Sequence, residues 1–214
     1  MPDKLIFYIL GALLLILLLA YVCFYKHVNL FIVSMTGKKR VQKKIYKACK
    51  ANDFLIINDI WLPVEEHKVK HIDTIIFGNK YIYITSIVKQ AGDVKVSLTD
   101  QKWRVIYKNQ LSLIDNPINQ NKRIISYLLK VVEGIEDKDL KNLVVLSKTC
   151  KFNQVNPSDS EFIVSEKEAI KLILQIEENS NDDVIDPYEI ERYAKAFYNY
   201  GLEAEKALKK YKRL

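Results

Sequence analysis

The residues best suited to metal chemistry lie near residue 70, where Glu66, His67 and His71 stand close together in the chain. Imidazole and carboxylate groups are common ligands of transition metals. On a strand, however, side chains four residues apart are separated by about 13 Å, which is too far for one zinc ion to span. We therefore expect His67 and His71 to be exposed loop residues rather than a metal site.

Other catalytic chemistry finds little support in the sequence. The chain has three cysteines, and neither Cys49 nor Cys150 has a CxxC partner. Buried, unreactive thiols are the ordinary interpretation of such isolated cysteines. The sequence also lacks the glycine-rich loops that bind nucleotide phosphates, so a nucleotide enzyme is not indicated.

A basic segment with interspersed aromatic residues could bind a phosphate backbone. Residues 101–151 contain ten bases against five acids, and Trp103, Tyr107 and Tyr127 lie among them. Bases that track phosphates and rings that stack on nucleobases are typical of single-strand binding surfaces. The alternative is an ordinary solvated surface with Trp103 in the core. The candidate binding residues are Lys102, Arg104, Gln120, Lys122 and Arg123.

The elements that must position these residues indicate an α+β domain. Strands are predicted at 54–62, 69–77, 80–89, 94–98 and 103–107 from their β-branched and aromatic content. Asn116 and Pro117 have the residue types of an N-cap and a first helical position, and apolar residues then recur at helical spacing to Gly134. Short strands follow at 143–146 and 162–164. The last two helices begin at Ser165 with Glu168 and at Asp186-Pro187.

The N-terminus is of a different kind, because no charged residue occurs in the 21 positions from Leu5 to Tyr25. As a helix this segment would reach about 30 Å, the thickness of a hydrocarbon core. We predict a single transmembrane helix, with a cleaved signal peptide or a lipid-modified Cys23 as the alternatives. Bases are concentrated after the segment, which places the rest of the chain in the cytoplasm. The predicted division is a membrane anchor at 1–35, a core domain at 36–150, and a C-terminal strand and helices at 151–214.

The charge of the chain has a simple partial explanation in this topology. The net charge is +7, and residues 36–60 alone carry seven bases against two acids. Bases just beyond a transmembrane helix are attracted to anionic lipid by about 1 kcal/mol each. The lipid bilayer is therefore a predicted partner, with anionic head groups near Lys38, Lys39, Arg40, Lys43 and Lys44.

From Gly37 to Leu146 several short pieces, in order, resemble the nuclease-related domain family, known as NERD. The pieces are Asn58-Asp59-Ile60-Trp61-Leu62-Pro63, Ile72-Asp73-Thr74-Ile75-Ile76, Tyr81-Ile82-Tyr83-Ile84, then Gly92, Trp103 and Asn116-Pro117 with Gln120. The resemblance implies a restriction-endonuclease-like domain with a central mixed sheet flanked by helices. It also implies a PD-(D/E)xK site, in which carboxylates hold a divalent metal and a lysine lies beside the attacked phosphate.

The residues that this resemblance places at the site depart from the family pattern. Asp73 is present, but Ser86 stands at the glutamate position, Val88 at the lysine position and Lys38 at the position of a helix acid. Lys89 is one residue from the lost lysine, and we expect it to point away from Asp73 because strand side chains alternate. Asp73 alone would hold Mg²⁺ weakly.

We therefore expect a catalytically inactive binding or scaffolding module for a nucleic acid or a protein partner at the membrane, with no cofactor. The first alternative is an active, Mg²⁺-dependent nuclease with a rearranged site. A second carboxylate within about 5 Å of Asp73 would favour it, because that distance allows a shared metal. The second alternative is a structural membrane protein without a ligand.

Overall fold

The structure is a computed structural model that describes residues 2–65, 68–153 and 160–211 of the 214. Within these ranges, side chains are described for residues 11, 13–21, 37–62, 69–153 and 160–206. The described residues form four α-helices, α1 (Pro2–Ala51), α2 (Pro117–Val131), α3 (Ala169–Asn179) and α4 (Pro187–Tyr211), and a short 3-10 helix at Asp137–Asp139. The strands found in the same ranges are β1 (Leu55–Glu65), β2 (Lys68–Phe77), β3 (Ile82–Val88), β4 (Gly92–Lys95), β5 (Lys102–Tyr107), β6 (Gln110–Asp115), β7 (Leu140–Leu146), β8 (Cys150–Phe152) and β9 (Glu161–Ser165).

The main sheet is mixed and has the strand order β1-β2-β3-β7-β9. The first three strands are antiparallel, and β7 and β9 join β3 in parallel. Every residue of β7 is buried, as expected for a central parallel strand covered on both faces. The prediction of an α+β class with a mixed sheet is confirmed.

Helices cover both faces of this sheet and give the domain three layers. On one face, α2 and α4 contribute Leu128 and Phe197 to a core with Ile75 and Ile84. On the other face, α1 and α3 contribute residues to a second core, including Val41, Ile45, Cys49, Ala169 and Ile173. The second half of α1 is therefore part of the folded domain.

A second sheet, which the sequence does not indicate as a unit, has the order β6-β5-β4-β8. Its hairpin β5–β6 turns at Lys108 and Asn109, both in the left-handed region with φ of 49° and 61°. Trp103 is fully buried between the two sheets, and its Nε1 donates a hydrogen bond of 2.7 Å to the Ser97 carbonyl. The core position that the alternative interpretation gave Trp103 is confirmed.

The N-terminal helix α1 is continuous from Pro2 to Ala51 and therefore extends well beyond the membrane segment predicted at Leu5–Tyr25. The seven consecutive aliphatic side chains from Leu13 to Leu19 are between 56% and 64% exposed. The predicted membrane segment Leu5–Tyr25 lies in part outside the residues whose side chains are described. Within the part that is described, no helix meets the length and apolar character required to cross a bilayer.

Glu166, in the turn between β9 and α3, holds α1 against the domain. Its carboxylate accepts hydrogen bonds from Arg40 Nη2 at 2.8 Å and Nε at 3.1 Å, and from Lys44 Nζ at 2.6 Å. The backbone N–H of Lys148 adds a fourth at 3.1 Å. We call Arg40, Lys44 and Glu166 the Glu166 clasp. Two of the bases that the sequence assigned to lipid head groups thus have a carboxylate partner in the domain, with side chains that are 26% and 51% exposed.

Candidate functional site at the β1–β2 strand pair

Two carboxylates face each other across β1 and β2. Asp59 and Asp73 lie between the paired residues Asn58–Thr74 and Ile60–Ile72. Like charges directly opposite on neighbouring strands repel, so this pair requires a cation. Lys38 of α1 supplies it, with its Nζ 2.6 Å from Asp59 Oδ1 and 2.7 Å from Asp73 Oδ1.

Asp59 adopts a backbone conformation that is unusual for a strand residue, with φ at +55°. Aspartate tolerates the left-handed region better than most residues, but the conformation still costs about 1 kcal/mol or more. The Asp59 side chain is 53% exposed, whereas that of Asp73 is only 17% exposed. The site is therefore open to solvent on the Asp59 side and closed around Asp73.

His71 joins the two carboxylates, and the expectation that it is an exposed loop residue is wrong. It lies in β2, with Nε2 3.4 Å from Asp59 Oδ1 and Nδ1 3.5 Å from Asp73 Oδ1. Its ring is edge-on to that of Trp61, with 5.0 Å between centroids. His67 lies outside the described residues.

Asp73 is held by groups from three elements. Its Oδ2 accepts a hydrogen bond of 2.6 Å from the backbone N–H of Ile87, and its carbonyl accepts one of 2.7 Å from Gln42 Nε2. Burial by itself would raise the pKa of Asp73, but hydrogen bonds from His71, Lys38 and Ile87 lower it below the usual value. Burial would lower the pKa of Lys38, and its hydrogen bonds to both aspartates raise it instead. Asp73 and Lys38 are therefore both charged at neutral pH.

The residues that stand in place of the expected family site residues make other contacts in the structure. Ser86 Oγ donates a 2.7 Å hydrogen bond to Asn121 Oδ1 on α2. Val88 is 5% exposed and belongs to the core between the two sheets. Lys89 is exposed, and its Cβ would be 3.8 Å from a Cβ placed on Gly37, so it lies beside α1. Among the described residues, no ion pair joins Lys89 to Asp73.

The candidate phosphate-binding residues lie on two elements. Lys102 and Arg104 are exposed on β5. Gln120 is half-buried on α2, and Lys122 and Arg123 are exposed there. Lys122 forms an ion pair of 2.6 Å with Glu161 of β9, which links α2 to the edge of the main sheet.

The arrangement does not suit Mg²⁺, the metal that the family site implies. Mg²⁺ requires near-octahedral oxygen coordination, whereas both Asp73 oxygens already face N–H donors and Ser86 faces Asn121. A second carboxylate has nevertheless been brought near, because ligand atoms of Asp59, His71 and Asp73 all lie within 4.8 Å of one another. This meets the distance expected of a shared-metal pair, but the Lys38 ammonium bonds to both carboxylates there.

Fold and site together define a three-layer α+β domain with a charged cluster at the β1–β2 pair. The family model of the nuclease-related domain, NERD, matches residues 34–147, which is more than half of the chain. The chain belongs to the NERD family. No curated protein and no solved structure matches it.

Proposed function

We propose that this NERD domain has no nuclease activity and serves as a binding or scaffolding module for a nucleic acid or a protein partner at a membrane. The observation that carries the proposal is the Lys38 ammonium, bonded to Asp59 and Asp73 at 2.6 and 2.7 Å. Metal-assisted hydrolysis needs a dication that polarises the phosphate and activates water. An ammonium cannot activate water in this way, and neither Ser86 nor Val88 supplies the missing carboxylate or amine.

Attachment to a membrane is supported by the exposed aliphatic run from Leu13 to Leu19. A helix that is apolar on all sides is stabilised by burial in lipid or in another protein. We propose the cell membrane, with the domain in the cytoplasm. Lys38 and the bases of the Glu166 clasp have carboxylate partners. We therefore assign the contact with anionic head groups to Lys39 and Lys43, which are exposed.

Nucleic-acid binding is supported by the exposed bases Lys102 and Arg104 on β5 and Arg123 on α2. The test is binding of a fluorescent single-stranded oligonucleotide to the full chain in detergent micelles over a salt series. The double variant Lys102→Ala/Arg104→Ala should bind more weakly. The slope of its log affinity against log salt concentration should correspond to about two fewer released counterions. Equal binding by this variant and the wild type would favour a protein partner.

The absence of catalysis is tested with the full chain, Mg²⁺ or Mn²⁺, and single- and double-stranded DNA and RNA. The wild type and Asp73→Ala should give the same background cleavage. Cleavage by the wild type that disappears in Asp73→Ala would contradict the proposal.

A rearranged, metal-dependent nuclease is the second candidate function. It is favoured by the approach of Asp59 and His71 to Asp73 within 4.8 Å. It requires Lys38 to leave the carboxylates when the substrate binds. In that case the cleavage assay would show activity that increases when Lys38 is replaced by methionine.

A further inference from the structure

We propose that Asp59, His71 and Asp73 form a latent binding site for a divalent transition metal, which the Lys38 ammonium occupies and keeps closed. The inference rests on the proposed function, since it explains how Lys38 takes the place of a metal ion in a site without nuclease activity. The proposed ligands are Asp59 and His71 in addition to Asp73.

The first support is that the three side chains already surround a cation. The ammonium makes two short contacts with carboxylate oxygens from different strands, at 2.6 and 2.7 Å. His71 lies 3.4 and 3.5 Å from the same two oxygens. Donor atoms around one zinc ion are about 3–3.5 Å apart, so shifts of an ångström or so would complete the coordination.

The second support is electrostatic. Without Lys38, two carboxylates would face each other across adjacent strands, and Asp73 would keep the Ile87 N–H on one oxygen and His71 beside the other. A largely buried carboxylate with a like-charged neighbour must gain a proton or bind another cation. The ammonium and a metal ion therefore compete for one position.

The ligand chemistry selects the class of metal. One imidazole nitrogen and two carboxylates suit Zn²⁺ or Mn²⁺ better than Mg²⁺, which takes oxygen ligands. Asp59 is 53% exposed, which gives an ion and a water ligand access from solvent.

The test is titration of the full chain in detergent micelles with zinc chloride by isothermal calorimetry, at pH 7. Lys38→Met removes the ammonium and keeps the length of the side chain. It should bind one zinc ion on the order of 100-fold more tightly than the wild type, because no charge-paired ammonium has to be displaced. Lys39→Met, an exposed neighbour on α1, is the matched control and should behave as the wild type.

The ligands are assigned by double variants and by a spectroscopic reading. Adding Asp73→Asn or His71→Ala to Lys38→Met should abolish the gain in affinity. Mn²⁺ bound to Lys38→Met should quench the fluorescence of Trp61, whose ring is 5.0 Å from that of His71. Trp103 lies in a separate core and should respond little.

Equal zinc affinity in Lys38→Met and the wild type would overturn the inference, as would a gain that survives both double variants. If Lys38→Met does not fold alone, recovery of its circular dichroism spectrum with zinc supports the inference. Failure of both Lys38→Met and Lys38→Gln to fold with zinc would refute it. Nuclease activity of the wild type would overturn the proposed function instead, and calorimetry would still decide the metal site separately.

Discussion

Replacing Glu166 by glutamine would break the Glu166 clasp while keeping the shape of the side chain. The carboxylate is only 2% exposed and is bonded to Arg40, Lys44 and the Lys148 N–H. Burial alone would raise the pKa of Glu166, but the hydrogen bonds from Arg40 and Lys44 lower it to about 2, from an ordinary value of 4.5. The variant resembles the protonated acid at every pH.

The pKa difference sets the size and the pH range of the effect. It corresponds to about 3 kcal/mol of folding free energy at pH 7. Because the pKa is lower in the folded state, this stabilisation is complete above about pH 5 and is lost as the pH falls towards 2. At pH 3 the linkage relation leaves about 1 kcal/mol.

The assay is equilibrium unfolding of the full chain by urea in detergent micelles, followed by tryptophan fluorescence at pH 7, 5 and 3. Glu166→Gln should be less stable than the wild type by about 2–3 kcal/mol at pH 7 and by about 1 kcal/mol at pH 3. Glu178→Gln, which changes an exposed glutamate of α3, is the matched control and should stay within about 0.5 kcal/mol of the wild type.

A difference between Glu166→Gln and the wild type that is the same at pH 7 and pH 3 would refute the linkage argument. A loss of less than about 0.5 kcal/mol at pH 7 would show that the clasp contributes little net free energy, as some buried ion pairs do.

Three further outcomes are expected. Asn121→Ala should lower the unfolding free energy by about 2–4 kcal/mol in urea titrations, because it leaves buried polar partners on β3 and β7 unpaired. Gly201→Ala should cost about 1–3 kcal/mol, since an added Cβ would lie 2.5 Å from an isoleucine side chain, whereas Gly11→Ala meets nothing within 4 Å and should cost nothing. Burial raises the pKa of Cys49 to about 11 and also raises that of Cys150, so alkylation of both, mapped by mass spectrometry, should be rapid only in denaturant.

The helices could be predicted where their signals are local. Asn116 caps α2 as expected, with its side chain accepting a hydrogen bond from the Ile118 N–H, and Pro117 is the first helical residue. The Ser165 hydroxyl does bond to Glu168, at 2.7 Å, but α3 begins only at Ala169. Capping residues act within one turn, so their sequence spacing is nearly sufficient to locate a helix.

The second sheet could not be predicted as a unit, because some of its strands pair over a long sequence separation and others depart from the usual strand and turn patterns. In β6 the residues Leu111 and Leu113 are 63% and 57% exposed, so the apolar face of this strand looks outward. The hairpin turn uses Lys108 and Asn109 instead of the glycine that usually marks such turns. Strand β8 pairs with β4 from more than 50 residues away.

Only part of the candidate site could be predicted from the sequence. Asp73 and its lost companions follow from the motif, but the partnership of Asp59 with Asp73 depends on the register of β1 and β2. The predicted strand at 69–77 already included position 71, but the approach of His71 to both carboxylates depends on the pairing of β2 with β1. The opposite charge at Lys38 was visible in the sequence, whereas its contact with both aspartates required the position of α1.

Because α1 is unbroken from Pro2 to Ala51, it behaves as a rod about 75 Å long whose C-terminal turns are fixed in the domain. Each residue of a helix advances the chain by about 1.5 Å and turns it by about 100°. One alanine inserted ahead of Gly37 would therefore swing the domain about 100° around the rod axis relative to the N-terminus. Seven would return it to within about 20° while moving it about 10 Å along the axis. The number of residues in α1 therefore determines both the distance of the domain from the N-terminus of the helix and the direction in which the domain faces around the helix axis.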